Sequence, residues 1–334
     1  MFLLKKSKLE QTMNIKVCLY EDWMKDAVVK LFCEQYNVDQ QSFDRYFDNF
    51  YEHPFQRGKC IRVVAVENGN VAGFQSFFFW PYNYGGSLLN SYQSGNSLVH
   101  PGYRGKGVFR KLLEFIYEQA CQMDVELLMG FPVEASKNSF LRNGWKNILD
   151  MKWYVKLINP IGIIRPFVSK KFEKLFSPSA DAGMQFYSEE NSFRLDAGND
   201  FQAWRNQLPD EKKWYFVYKK GPDCVMMELC LEKRRFGISN LIIGDIRLNN
   251  FNEDLIYQAL KLFIKNVWRA GNVCIISIAI NSLFQNSSVL NAMQRVGFKL
   301  IKKEISFIIK HIKDNIHADD PANWELYRSD IDTW

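Results

Sequence analysis

Histidine is scarce, with 4 in 334 residues, and the four are scattered. No set of imidazoles stands at metal-ligand spacing, so no metal is expected. The seven cysteines form no Cys-x-x-Cys pair and most stand in apolar runs. They read as reduced, buried thiols rather than a zinc ribbon or redox dithiol. No continuous apolar stretch reaches the roughly 18 residues that a spanning helix needs. The opening apolar run breaks at Lys5, too early for a secretory signal. The expectations are a cytoplasmic chain without a membrane span. Long Lys/Arg runs and RNA-type aromatic motifs are also missing, so the net charge of +6 implies anionic small ligands rather than nucleic acid.

What is present is ordinary globular sequence, 47% hydrophobic and 24% charged, with 15% aromatic residues to fill its cores. The length suggests two domains. Residues 1–12 read as a lead-in. A strand pattern at 14–20 precedes two short helices within 21–51. The runs 60–67 and 71–80 flank Asn68-Gly69-Asn70, a hairpin signal. A strand at 88–99, an amphipathic helix at 107–123, a buried strand at 125–131, a helix at 134–143 and a strand at 147–157 follow. The fold class is α/β, a mixed α+β sheet with helices on its faces.

Residues 186–312 repeat this order. Arg142-Asn143-Gly144-Trp145-Lys146 is echoed by Arg295-Val296-Gly297-Phe298-Lys299, 153 residues later. Each precedes a strand ending in an apolar pair plus lysine, Val155-Lys156 and Ile309-Lys310. The spacing implies duplication of a whole domain. The organisation is thus 13–156, a basic connector 157–185, a second domain 186–312 and an acidic tail 313–334. The connector is expected to pack across the two domains; a membrane surface or an anionic substrate is the other option for so basic a segment. The tail is expected either to dock on a basic surface, the connector being the candidate, or to be a solvated end.

Residues 99–109, Val-His-Pro-Gly-Tyr-Arg-Gly-Lys-Gly-Val-Phe, join a strand to the amphipathic helix. The first N–H groups of a helix lack internal partners, and the helix dipole adds positive charge there. Such a turn suits a phosphate or pyrophosphate. Gly105 and Gly107 admit close approach of a ligand, and Arg104 and Lys106 add charge. The turn is neither a Walker loop nor a dinucleotide fingerprint.

With Val99, Pro101, Arg104, Gly105 and Gly107 followed by a helix, this segment resembles motif A of the GNAT N-acetyltransferase superfamily, over about residues 14–156. The family pattern maps onto Arg104, Gly107 and Phe109, where Phe109 departs from the usual small residue. The resemblance implies tandem GNAT-like domains, acetyl-CoA as co-substrate and a small-molecule amine as acceptor, with a homodimer left open. It implies that the phosphates lie on the N–H groups of residues 104–109, Val108 and Phe109 included, and that the pantetheine arm pairs with Ser97, Leu98 and Val99. The second domain lacks paired glycines after its equivalent strand, where Gly244-Asp245-Ile246-Arg247 stands. It reads as a degenerate repeat closing one wall of the acceptor pocket.

The family's usual acid, a tyrosine, is replaced here by Phe140, and the strand before the turn holds no carboxylate. Tyr92, Gln93, His100 and Glu134 are the candidates for proton transfer, with unassisted or water-assisted departure of the thiolate beside them. The resemblance to GNATs linked with surface polysaccharides implies an amino-sugar acceptor for an N-acetyltransferase. The alternatives are a non-catalytic CoA-binding or scaffold protein, and a Fem-like aminoacyl transferase.

Overall fold

The computed structural model describes residues 14–179, 186, 191–208 and 212–333; the lead-in 1–12 and the end of the connector lie outside these. The chain begins with β1 (Lys16–Leu19), α1 (Lys25–Tyr36), α2 (Gln40–Tyr51), β2 (Cys60–Glu67) and β3 (Asn70–Phe79). Then come β4 (Tyr82–Tyr84), β5 (Ser87–Leu89), β6 (Ser91–Val99), α3 (Val108–Gln122), β7 (Leu127–Gly130), α4 (Glu134–Arg142) and β8 (Lys146–Leu157). The later half holds α5 (Lys170–Leu175), β9 (Arg194–Leu195), α6 (Asn199–Arg205), β10 (Lys213–Lys220), β11 (Asp223–Lys233) and β12 (Ser239–Leu248). It ends with α7 (Glu253–Ala270), β13 (Ile275–Ile280), α8 (Ser288–Arg295) and β14 (Lys299–His311).

The chain divides into two compact units: residues up to Phe78 with Ser94–Met123, and Phe79–Gln93 with everything from Asp124 onward. In the first, β1, β2 and β3 form an antiparallel meander, and the Ser94–Val99 part of β6 follows β3. The β2–β3 turn places Asn68 and Gly69 at φ 49° and 79°, the left-handed pair that a two-residue hairpin requires. The buried face of α3 is Val108, Leu112, Leu113, Ile116 and Ala120, as the helical spacing predicts. Rings of Phe32, Phe43, Phe47 and Phe74 close the core on the α1 and α2 side.

The second unit is built on a mixed sheet in the order β7-β14-β8-β13-β12-β11-β10, with Ser91–Gln93 of β6 parallel to β7 at its edge. Here each repeat lends its last strand to the other. β14 of the second repeat pairs antiparallel with β7 of the first, and β8 of the first pairs antiparallel with β13 of the second. β8 and β14 pair with each other at the centre, Lys146 opposite Ile309 and Lys299 opposite Val155. The echoed lysines share the exchange. Lys310 donates to the Asn143 carbonyl at 3.0 Å at the end of α4, beside Gly144. Lys156 stands likewise beside Gly297 at the end of α8, with Nζ 3.1 Å from where a Cβ would be. Both glycines are left-handed, φ 80° and 88°, and follow the ends of their helices.

The sequence also holds elements that its local pattern did not announce. β4 and β5 form a hairpin that β9 joins into a small sheet, and α5 lies inside the connector. Phe172 and Phe176 are buried in the second unit's core, but Ile161, Ile163 and Ile164 are exposed. The described part of the connector lies wholly in that unit. The tail is no solvated end, and the basic groups recorded on it come from elsewhere than the connector. Trp324 is fully buried against Phe193, Tyr82 and Phe307, and Tyr327 bridges to Ile280 of β13. Its charges meet Lys146, His311 and Arg194, and Arg205 donates to its Asp332 carbonyl.

Candidate functional site

In the first unit the strand-to-helix turn is fixed by short-range bonds. The N–H of His100 bonds the Ala72 carbonyl of β3 at 3.0 Å, anchoring the end of β6. His100 Nδ1 accepts the Gly102 N–H at 3.1 Å, and the Tyr103 N–H donates to the His100 carbonyl at 2.8 Å. Arg104 donates to the Val99 carbonyl at 3.1 Å and to Gln35 Oε1 at 2.7 Å. Arg104 therefore staples the turn while its charge stays at an exposed surface. The Lys106 ammonium lies 5.5 Å over the Tyr103 ring.

Gly105 and Gly107 take φ 74° and 77°, so both positions require glycine for the backbone path. Among the described residues nothing lies within 4 Å of a Cβ built at either, so the face above them is open. Gly107 is the N-cap of α3 and, having no side chain, makes no side-chain cap bond to the helix N–H groups. Val108 is buried and Phe109 half-buried, so the side chains of the first turn of α3 pack inward. Gly73 on β3 sets the depth of the helix. A Cβ there would meet the Leu98 carbonyl, Leu112 and Val108 at 3.2–3.3 Å.

The strand leading in is kinked. Asn96 has φ 47°, a left-handed residue within β6. Its amide donates to the Tyr51 hydroxyl at 2.7 Å, which bonds Ser76 at 2.6 Å, and Ser76 donates to the Gly95 carbonyl at 2.8 Å. Such an irregularity re-aims the backbone groups that follow it, here those of Ser97, Leu98 and Val99.

The corresponding point of the second repeat is closed. The Asn252 side chain caps α7, accepting from the N–H groups of Asp254 and Leu255 at 2.9 and 3.1 Å. Glu253 and Asp254 put negative charge in its first turn. Asp245 is buried between Arg194 and Arg247. Burial pushes its carboxyl up, but the two guanidinium groups outweigh this and hold it below the usual range.

The proton-transfer candidates fall into different settings. Tyr92 is buried edge-on to Phe79 in the second unit. Gln93 is fully buried there; with its amide oriented to satisfy both ends, it donates to the Asp330 carbonyl and accepts the Asp332 N–H, each at 3.1 Å. Gln93 thus holds the tail. Glu134 is exposed in the first turn of α4, where the helix dipole favours its charge. Phe140 is buried against Trp145, ring centroids 4.9 Å apart, so its position belongs to a packed core.

Sequence reasoning missed the acidic and basic cluster that the tail completes. Arg194 bonds Asp245 and pairs with Glu325 at 2.8 Å, and its guanidinium lies 4.9 Å over the Tyr327 ring. Asp330 accepts from the Tyr82 hydroxyl at 3.0 Å and from the Tyr327 N–H at 2.6 Å. Burial pushes the Asp330 carboxyl up to about 7, with the Arg194 charge only partly offsetting it. A cavity of about 280 Å³ beside this cluster is lined by Arg194, Arg247, Glu325, Asp196 and Asn83, among others. The only sequence signal was the acidic, Trp-rich composition of residues 313–334.

Among the described residues no group of three His, Cys, Asp or Glu side chains is placed to hold a metal. No described helix is long and apolar enough to cross a membrane.

Residues 20–147 match the family model of the acetyltransferase (GNAT) domain. No curated protein matches the chain in sequence. Among solved structures, the chain resembles a GCN5-related N-acetyltransferase from Anabaena variabilis at 13% identity and TM-score 0.62, over 90% of this chain and 73% of that one. A tandem GNAT protein from the clavulanic acid biosynthesis pathway matches at 11% identity and TM-score 0.53, over 90% and 99%. An N-myristoyltransferase from Saccharomyces cerevisiae, with bound myristoyl-CoA, matches at 9% identity and TM-score 0.51, over 96% and 92%. At these identities the structural likeness carries the fold alone. The match over residues 20–147 identifies a GNAT acetyltransferase domain in that part of the chain, on an α/β fold shared with a tandem GNAT protein.

Proposed function

We propose that the chain transfers an acetyl or short acyl group from its CoA thioester to a primary amine, an amino-sugar being the acceptor class. The observation that carries this is the contrast between two helix starts. α3 begins at a left-handed glycine with open space and no side-chain cap, whereas α7 is capped by Asn252 and carries two acids. An anion suits the first and is repelled by the second. The second repeat is accordingly taken as unable to bind CoA in this way.

In this account the pyrophosphate rests on the N–H groups of residues 104–109, and the pantetheine arm pairs with the re-aimed backbone of Ser97, Leu98 and Val99. The neutral amine attacks the thioester carbonyl, the C–S bond breaks, and the amine's proton and the departing thiolate are resolved as the amide and CoA thiol. His100 spends its Nδ1 lone pair on Gly102, so it enters as a donor through Nε2 rather than as a base. Glu134 is the exposed carboxylate among the candidates, Tyr92 and Gln93 being buried. Water is the remaining route for the proton.

A non-catalytic CoA-binding protein is the alternative, favoured by Phe140 lying in a packed core where the family places its acid. Thiol release from acetyl-CoA across a panel of amino-sugars and nucleotide-linked amino-sugars decides between them. Turnover with at least one acceptor is expected, and Gly107→Asp should abolish both turnover and acetyl-CoA binding by calorimetry. Binding without thiol release would favour the alternative; retained affinity in Gly107→Asp would remove the assigned turn altogether.

A further inference from the structure

The connector places apolar side chains outside and fastens its backbone inside. Ile161 and Ile164 are 58% and 76% exposed, with Ile163 also outside. The segment is not loose. Asn159 caps the turn by accepting the Ile161 N–H at 3.1 Å, and the Gly162 N–H bonds the Asn159 carbonyl at 3.0 Å. Gly162 sits so close to residues 272–274 that a Cβ would meet backbone carbons and Cys274 Sγ at 3.1–3.2 Å. Asn272 donates to the Phe167 carbonyl, tying down the next stretch.

A second loop joins it. The tip between β11 and β12 carries Phe236, 88% exposed and at φ 61°, where a bulky residue is disfavoured. The neighbouring Gly237 leaves only 3.4 Å between a notional Cβ and Ile163 Cγ1, so the two turns touch. Four apolar side chains thereby project from one rigid corner of the second unit.

Along the two segments that carry them the charge has one sign, Glu232 standing just outside. Residues 157–171 and 233–238 contain no Asp or Glu. They contain Lys170, Lys171, Arg165, Lys233, Arg234 and Arg235. Arg234 pairs with Glu232 at 2.9 Å; no ion pair is recorded for Arg165, Arg235, Lys170 or Lys171 among the described residues. A second copy meeting this face symmetrically would oppose like charges. Protruding aliphatic and aromatic tips ringed by cations instead match the boundary between anionic headgroups and acyl chains.

We propose that this corner, Ile161, Ile163, Ile164 and Phe236 within their basic ring, docks the protein peripherally on an anionic lipid surface. The docking stands independently of the catalytic assignment, since it uses neither the CoA turn nor the tail cluster. It would bring acyl transfer to acceptors held at a membrane surface without any spanning helix.

The test is co-sedimentation of the full chain with vesicles of phosphatidylcholine mixed with phosphatidylglycerol, and with phosphatidylcholine alone. Wild type should partition to the anionic vesicles, weakly to the neutral ones, and less as salt rises. Ile164→Asp combined with Phe236→Asp should lower partition about tenfold or more, because two insertable side chains become charged. Arg165→Glu with Arg235→Glu should remove the preference for anionic lipid. Both variants alter exposed positions, and circular dichroism checks that they fold. No partition of wild type, or unchanged partition of the Asp variant, overturns the proposal. Phe236-dependent self-association or capture of an acidic protein, without lipid binding, also overturns it by assigning the face to another occupant.

Discussion

Asp330 links the stability of the second unit to pH. Its carboxyl holds a proton up to about pH 7 in the folded chain, whereas an unfolded aspartate loses it near 4. Between those values the folded state binds the extra proton, so this contribution is complete below the unfolded value and is lost as pH rises through 7. One proton limits the slope to about 1.4 kcal/mol per pH unit. Asp245 works the other way: its depressed carboxyl contributes above the unfolded value, a contribution lost as pH falls through its folded one. In thermal melts between about pH 5 and about pH 8, wild type should lose stability as pH rises, and Asp330→Asn should flatten that dependence. Parallel curves would show that the carboxyl titrates elsewhere. Nothing in sequence separated Asp330 from Asp314, Asp320 or Asp332 in the same acidic tail. Its partner Tyr82 stands 248 residues upstream, and such a distance leaves no local pattern. The glycines of the turn before α3, Gly105 and Gly107, were legible for the opposite reason, since their backbone role is written in consecutive residues.

Periodicity exposed most single elements. The β2–β3 hairpin followed from Asn68-Gly69, α3 from its apolar stripe, and the end of α4 from Gly144. The strand exchange did not follow, because β8 and β14 have similar endings and either could lie beside β7 or β13. The β4–β5–β9 sheet escaped because β9 is two residues long. Gly297 tests how tightly the exchanged ends fit. Gly297→Ala places a Cβ at φ 88° and 3.1 Å from Lys156 Nζ, and should destabilise by about 1–3 kcal/mol. The midpoint of urea unfolding measures it. An unchanged midpoint would mean that the end of α8 shifts freely.

At the scale of the whole molecule, the two repeats and the two compact units divide the chain differently. β8 lies between β14 and β13, both from the second repeat. A chain cut after residue 185 keeps β7 and β8 but removes β14 from between them, leaving unpaired edges. Such a fragment should aggregate or elute as large species in gel filtration, and a soluble monomer that binds acetyl-CoA would show that the first repeat folds alone. The interlock has a further consequence during synthesis. β7 and β8 emerge from the ribosome with their common partner still unmade, and the wait until β14 appears is on the order of ten seconds at typical elongation rates. Through that interval the first repeat must be held as an open sheet. Strand edges left open for that long are exposed to pairing with other nascent chains.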